Sequence, residues 1–169
     1  MQRRCSGFSL LELTVSIFII TVLMASALQR LELLIEDVER VSFEGSRDNI
    51  QAQITLKVAY WFAEQQVVSP DEIAKQNPVD LIQHKPLNYA GELAFSELRN
   101  VAGEHWYFVT DKRWLVYKAK RTSNLKNEFM QADLIPYRVE VGLQDSKADK
   151  GLAIEAKLKP LYEFYWQAD

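Results

Sequence analysis

Glu12 is the residue whose chemistry stands out first, because it is the one charged side chain in the apolar run from Phe8 to Leu28. A run of about 20 apolar residues is long enough to span a bilayer as a helix. A carboxylate at the centre of an inserting helix costs roughly 2.5–3.5 kcal/mol, and less near its end, so such groups are rare and usually paired. The position therefore predicts that Glu12 has a partner of opposite charge.

The residues before and after the start of this run form a recognisable pattern. Arginines at positions 3 and 4 are followed by Gly7 and then by Phe8-Ser9-Leu10-Leu11-Glu12. This pattern resembles the processing and methylation motif of type IV pilin-like proteins. The resemblance implies that a prepilin peptidase cleaves after Gly7 and that Phe8, the new N-terminus, is methylated. It also implies that Glu12 pairs with the N-terminal amine of a neighbouring subunit in a filament.

Two other interpretations of the same segment remain open. A secretory signal would also have a basic start and an apolar stretch, with Ala25-Ser26-Ala27 as its cleavage site. A plain signal anchor needs only the apolar span. Neither accounts for a carboxylate in the first turns of the helix, so the pilin-like interpretation is preferred.

The other candidate sites in the sequence give weaker signals. His84 and His105 have no further ligand at metal-binding spacing, and the loop with Asp145, Asp149 and Gly151 has too few acids for calcium. We therefore expect no metal and no cofactor. No nucleophile elbow or phosphate-binding loop is present, which predicts that the chain is not an enzyme. The aromatic residues are interpreted as core filling rather than as a carbohydrate or partner surface.

A basic stretch interleaved with aromatic residues could suggest nucleic-acid capture. We interpret it instead as the solvated face of a hairpin, and an acidic chain has no general attraction for nucleic acid. We therefore expect no nucleic-acid partner. The stretch comprises Lys112, Arg113, Lys118, Lys120, Arg121 and Lys126.

Length and charge indicate one membrane helix and one globular domain. The 169 residues divide into a leader (1–7), a transmembrane and filament-core helix (8–28) and a periplasmic domain (29–169). Loss of the leader removes two arginines and changes the formal charge from −3 to −5. The leader is basic and the segment after the span is mostly acidic. The positive-inside rule then predicts a single-pass protein of the bacterial inner membrane with a cytoplasmic N-terminus.

Cys5 is the only cysteine and lies in the leader, so the mature chain can form no disulfide. Many major pilins close a C-terminal loop with a disulfide. The departure from that pattern favours a minor pilin or a pseudopilin.

The elements that would position these residues begin with one long helix, from about Ser9 to Gln65. Apolar residues recur at steps of three and four, and no proline interrupts them before residue 70. This pattern predicts an apolar stripe that packs on a sheet, although two helices broken near Gly45 remain the alternative. The repeating residues are Leu31, Leu34, Ile35, Val38, Val41, Ile50, Ile54, Val58 and Trp61, and we expect the Ile54–Phe62 stripe to contribute the helical part of the core.

The C-terminal half predicts an antiparallel β-meander, which gives an α+β, pilin-like fold. Its predicted strands are 106–110 and 114–118 around a tight turn, then 137–143 and 152–158, with a further strand at 162–166. Between helix and sheet, Ser69-Pro70-Asp71-Glu72 predicts the start of a short helix ending near Gln76. Residues 79–82 and 86–95 fit either edge strands or loops.

The leading functional hypothesis is a minor type IV pilus subunit that works with prepilin peptidase, other pilins and an assembly platform in the inner membrane. The Trp106–Lys118 hairpin has a faint resemblance to minor biogenesis proteins of the mannose-sensitive haemagglutinin (MSHA) pilus. A minor pseudopilin of the type II secretion system is the alternative. A third hypothesis is a tip-located adhesin or DNA-capture module.

Overall fold

The computed structural model describes residues 9–66, 68–143 and 153–167. Its main feature is a single helix, α1 (Leu10–Ala63), which is about 80 Å long at 1.5 Å per residue. Ser9 caps the helix, because its hydroxyl accepts a hydrogen bond from the Glu12 backbone N–H at 3.2 Å. The one-helix prediction is confirmed, and the alternative break near Gly45 is wrong. One exposed glycine costs a helix only about 1 kcal/mol, whereas buried residues on both sides of Gly45 hold the helix on the sheet.

A five-stranded sheet packs against the second half of α1. In spatial order the strands are β1, β2, β3, β5 and β6, and all neighbouring pairs except β1–β2 are antiparallel. The predicted α+β fold and its two central hairpins are therefore confirmed. The bounds are β1 Tyr89–Leu93, β2 His105–Val109, β3 Trp114–Lys118, β4 Leu125–Asn127, β5 Leu134–Leu143, β6 Ala153–Pro160 and β7 Phe164–Trp166.

Between the helix and the sheet, one of the two uncertain segments is a strand and the other is not. The predicted short helix is α2 (Pro70–Lys75), and residues Pro78–Asp80 form a 3-10 helix rather than an edge strand. The second segment does contain an edge strand, β1. It runs parallel to β2, because a second 3-10 helix, Phe95–Asn100, returns the chain to the starting end of the sheet.

The predicted last strand is also present, but it lies outside the main sheet. β7 pairs with β4 in a separate two-stranded sheet, with Leu125 opposite Trp166. This small sheet brings the end of the chain back to α1, because the Trp166 indole N–H donates to the Glu36 carboxylate at 3.1 Å.

The core between α1 and the sheet is built from aromatic residues. Phe43 of α1 is fully buried. The centroid of its ring lies 4.7 Å from the Tyr117 ring centroid and 5.5 Å from the Trp106 ring centroid. Further along the helix, Ile54 and Val58 are buried as predicted. The predicted end of this stripe is wrong in detail, since Trp61 is only half-buried and Phe62 is 53% exposed. The helix passes the limit of the sheet there.

A second correction concerns the first part of the predicted apolar stripe. Leu31, Leu34, Val38 and Val41 are 49–62% exposed and do not face the sheet. The buried positions on this stretch are instead two glutamates, Glu36 and Glu39, which lie on the same face as Phe43 and Ile50. The domain therefore contacts α1 along a line that starts with acidic residues and continues with apolar ones.

The outer face of the sheet has its own apolar cluster. Tyr107, Val109 and Val116 are covered there by Leu98 of the second 3-10 helix and by Phe129. Lys118 is buried beneath the same helix, and its ammonium group donates to the carbonyls of Leu98 at 2.7 Å and Arg99 at 3.1 Å. These bonds satisfy carbonyls at the helix C-terminus, where a positive charge is favourable. Both faces of the central strands are thus covered.

Candidate functional site

The carboxylate of Glu12 differs from every other polar side chain in the apolar part of α1. Four hydroxyls between Ser9 and Leu28 donate to backbone carbonyls three or four residues earlier, at 2.7–3.0 Å. The Ser9 hydroxyl accepts the capping bond. The donors are Thr14, Ser16, Thr21 and Ser26. Such pairing within the helix is what hydroxyls require in lipid.

The Glu12 side chain makes no comparable contact. Over residues 9–66, where the structure describes the whole helix, its carboxylate has neither a hydrogen-bond donor nor an ion-pair partner, and the side chain is exposed. The globular domain first contacts the helix near Glu36, about 36 Å along the axis at 1.5 Å per residue. The described part of the domain therefore offers no partner within reach. The other predicted site residues, Gly7 and Phe8, lie outside the described residues.

A second acidic site lies where α1 meets the domain. Glu36 accepts the Asn124 backbone N–H at 2.8 Å as well as the Trp166 indole. One turn further, Glu39 accepts the backbone N–H groups of Lys120 at 2.7 Å and Arg121 at 3.2 Å. Two helix carboxylates thus hold the loop that connects β3 to β4.

The charges around Glu39 explain how a buried carboxylate is retained. Burial raises the pKa of Glu39 above its ordinary value, and the N–H groups of Lys120 and Arg121 offset part of that rise. The Arg121 guanidinium lies 2.6 Å from the Glu104 carboxylate and 3.5 Å from that of Glu39. Burial opposes ionisation of Glu104, but the hydrogen bond from Arg121 and the nearby charge of Lys120 hold its pKa below its ordinary value.

These shifts have opposite consequences for stability. For Glu39 the folded pKa exceeds the unfolded value, so its stabilising contribution is complete below the unfolded pKa and declines as pH rises through the folded one. For Glu104 the contribution is present above the unfolded pKa and declines as pH falls through the folded one. Together they fit a structural role for this site, since neither carboxylate is left without a donor.

The basic stretch does not form one free cationic surface. Lys118 is buried, and Lys120 and Arg121 both pair with Glu104. Lys112 and Arg113 lie in the exposed turn after β2, and Lys126 lies on β4. The stretch is therefore divided between the core, an ion-pair cluster and a hairpin turn.

The two histidines lie on different segments of the domain, His84 in a loop and His105 at the start of β2. His84 is exposed in a loop where its backbone N–H donates to Gln53 at 3.1 Å. The Nδ1 atom of His105 lies 2.6 Å from the carbonyl oxygen of Gly103. Over the part of the chain that the structure describes, no three histidine, cysteine or acidic side chains come together at metal-binding distance. Asp145, Asp149 and Gly151 lie outside that part.

Sequence reasoning missed Glu36 and Glu39. A signal for them was available, because steps of three or four lead back from Ile50 through Phe43 to positions 39 and 36. Acidic residues within that stripe could have been interpreted as carboxylates that accept backbone N–H groups from a loop of the domain.

In a comparison with protein families, one family matches the chain. The prokaryotic N-terminal methylation motif matches residues 2–28, which include the pattern around Gly7, Phe8 and Glu12. Comparisons with curated proteins and with solved structures gave no match.

The motif and the fold together support one class of protein. A methylation motif followed by one long helix on a mostly antiparallel sheet supports a type IV pilin-like protein, that is, a pilin or a pseudopilin. Within the described residues, α1 is the one helix long and apolar enough to cross a membrane, and its apolar segment is not buried in the domain. These features fit a single-pass inner-membrane anchor, processing by prepilin peptidase and a structural subunit that assembles with other pilins.

Proposed function

We propose that this chain is a minor subunit of a type IV pilus, processed between Gly7 and Phe8, methylated at Phe8 and joined to its neighbours through Glu12. The observation that carries the proposal is the contrast along the apolar helix: each hydroxyl has a partner on its own helix and the carboxylate has none. A group of that kind in lipid needs a charge from another molecule. The amine created at Phe8 by cleavage is a charge of the right sign.

The pairing would be strongest in the assembled filament. Attraction between opposite charges increases when water is excluded, although desolvation of both groups offsets part of the gain. Removal of one partner then leaves a buried charge uncompensated, which is more costly than losing a pair exposed to water. In this proposal the domain faces the periplasm, the leader faces the cytoplasm, and the protein has no enzymatic activity of its own.

A minor pseudopilin of the type II secretion system would use the same helix chemistry. Absence of cysteine from the mature chain suits both roles. The third hypothesis, DNA capture through the basic stretch, has less support, because the buried Lys118 and the paired Lys120 and Arg121 are not available as one surface.

The test is Glu12→Val in the full chain, co-expressed with other pilins of the same organism. We expect normal cleavage to a methylated Phe8 and normal membrane insertion, with co-isolation of the partner pilins reduced about tenfold or more, which corresponds to at least 1.4 kcal/mol. Glu32→Val is the matched control, since it removes an exposed acid from the same helix beyond the apolar run.

Two results would contradict the proposal. Equal co-isolation by Glu12→Val and the unmodified chain would show that the carboxylate has another task. A mature chain that starts near Leu28 would show that signal peptidase removes the whole apolar helix. Intact mass measurement of the membrane fraction distinguishes that start from Phe8.

A further inference from the structure

A polar cleft lies between α1 and the loop that connects β3 to β4, beside the helix segment that leads from the apolar run to Glu36. Its volume is about 710 Å³, and it is open to solvent. One wall is the helix and the other is the loop. The lining residues that carry the argument are Gln29, Glu32 and Leu33 of the helix and Lys120, Thr122 and Ser123 of the loop. We call these six residues the membrane-proximal cleft.

The position of the cleft along α1 is that of the lipid headgroups. As a helix, the apolar run from Phe8 to Leu28 is about 31 Å long, which matches a hydrocarbon layer of about 30 Å. The headgroups occupy about 5–8 Å more on each side of that layer. Gln29 lies about 2 Å beyond Leu28 along the axis, and Leu33 lies about 8 Å beyond it. The helical wall of the cleft therefore lies in the headgroup layer when the apolar run spans the bilayer.

The loop wall presents hydrogen-bond donors that the described part of the chain leaves unused. The hydroxyls and the backbone N–H groups of Thr122 and Ser123 make no hydrogen bond with any residue that the structure describes. The Lys120 side chain is 58% exposed, and its ammonium lies 3.4 Å from the Glu104 carboxylate, so it retains N–H donors for another acceptor. Adjacent backbone N–H groups, hydroxyls and an ammonium are the groups that bind phosphate oxygens.

The helical wall adds a charge of the opposite sign. Glu32 is exposed, and among the described residues no cation pairs with it. Glu36, one turn further on the same side of α1, is buried and already accepts two hydrogen bonds. A ligand with negative charge alone would be repelled by Glu32. A ligand with an ammonium beside its phosphate would match both walls.

We propose that the membrane-proximal cleft binds the headgroup of a zwitterionic phospholipid with a primary ammonium, the phosphatidylethanolamine class, from the periplasmic leaflet. The lipid phosphate accepts from Lys120, Thr122 and Ser123, and the ammonium donates to Glu32. The acyl chains then lie along the apolar half of α1. The bound lipid holds the domain close to the bilayer surface for as long as the subunit stays in the membrane. This inference rests on the proposed function only in assuming that the apolar segment anchors a periplasmic domain.

The experiment is a lipid titration observed by NMR. The isotope-labelled full chain is held in micelles of an uncharged detergent, and short-chain phosphatidylethanolamine is added. We expect saturable shifts of the backbone amide signals of Thr122 and Ser123, with none at Lys112 in the exposed hairpin turn. Phosphatidylcholine and phosphatidylglycerol of the same chain length should bind at least about fivefold more weakly. The quaternary ammonium of the first has no N–H donor, and the second has no ammonium.

Two variants with matched controls test the two walls. Glu32→Gln should raise the Kd for phosphatidylethanolamine about tenfold and abolish its advantage over phosphatidylglycerol, whereas Glu64→Gln, the same change at an exposed glutamate beyond the other end of α1, should do neither. Lys120→Gln should weaken the binding of every lipid several-fold, and Lys112→Gln should not. Because Glu32 and Lys120 are exposed, these changes should leave thermal unfolding of the domain unaltered.

Free phosphoethanolamine distinguishes a membrane lipid from a soluble ligand of the same chemistry. We expect it to bind at least about tenfold more weakly, because the acyl chains concentrate the lipid at the micelle surface beside the cleft. Equal affinity for phosphoethanolamine and the lipid would overturn the lipid as the ligand. Absence of saturable shifts at Thr122 and Ser123, equal affinity for the three lipids, or no effect of Glu32→Gln would overturn the site.

The titration and the Glu12→Val assay fail independently. A chain that binds no lipid, although its Glu12→Val variant loses the partner pilins, overturns the cleft site and leaves the pilus role standing. A chain that binds phosphatidylethanolamine as expected, although its Glu12→Val variant co-isolates normally, supports the cleft site and contradicts the proposed function.

Discussion

At the scale of single residues, the glutamates of α1 lie in two different environments. Glu12 lies in the apolar segment, and its exposed carboxylate has no partner in the described part of the chain. Glu36 and Glu39 are buried, and backbone N–H groups or an indole satisfy them. The same side chain therefore attaches a loop in one place and, in the proposed function, serves assembly in the other, because its surroundings differ.

Phe43 is the most consequential apolar residue of the helix, since its ring contacts both Trp106 and Tyr117. Phe43→Ala should lower the free energy of unfolding by about 3–5 kcal/mol, the usual cost of removing a fully buried aromatic ring. Trp61→Ala should cost clearly less, because Trp61 is half-buried at the limit of the sheet. Urea denaturation of the periplasmic fragment measures both values. If Trp61→Ala were as costly as Phe43→Ala, the helix would contact the sheet one turn further than described.

At the scale of elements, the helix continues through its one glycine because packing on both sides outweighs a small local cost. Gly45 is exposed, and a methyl group added there would meet nothing within 4 Å.

The edge of the sheet is protected by the same helix. The Gln51 side-chain amide donates to the Ala156 carbonyl at 3.0 Å and accepts from the Leu158 N–H at 2.6 Å. One amide thus occupies the place on β6 where another strand could pair.

Gly45→Ala should therefore stabilise the domain by about 0.5–1 kcal/mol, since alanine has less backbone freedom to lose in a helix. Gly91→Ala is the control for a glycine with equal space and a different backbone. Its φ of +113° disfavours any residue with a Cβ, so that change should destabilise. Thermal denaturation of both variants gives the comparison. Destabilisation by Gly45→Ala would indicate that the helix departs from regular geometry at this residue.

At the scale of the whole molecule, the anchor and the domain use separate parts of α1. Every contact of the helix with the core described above begins at Glu36 or later, so a fragment starting at Leu31 keeps the complete core. The exposed apolar residues Leu31, Leu34, Val38 and Val41 extend over about three turns of that fragment, and helical segments of that length associate weakly without further support. In the membrane, two anchored copies share one surface, which raises their effective concentration.

We therefore expect the fragment from Leu31 onward to fold cooperatively by itself and to remain monomeric at micromolar concentration. Size-exclusion chromatography with light scattering measures its mass, and circular dichroism follows its unfolding. A fragment that unfolds without a cooperative transition would show that the membrane half of α1 contributes to the fold. A stable dimer of the fragment would contradict the expected monomer and show that the periplasmic part associates without the membrane helix.

The sequence by itself indicated a type IV pilin-like protein, and it predicted the single long helix and the central strands. These depend on signals that neighbouring residues create together: the pattern from Gly7 to Glu12, uninterrupted helical spacing and alternation around the hairpin turn at Asp111. The tertiary structure alone decided which side of α1 is buried. Spacing predicted that Leu34 and Val38 face the sheet, whereas the buried residues on this stretch are Glu36 and Glu39, which contact the loop between β3 and β4. Both stripes have helical periodicity, and the choice depends on backbone N–H groups of the loop around Lys120, about 80 residues away in sequence, which only folding brings to the helix.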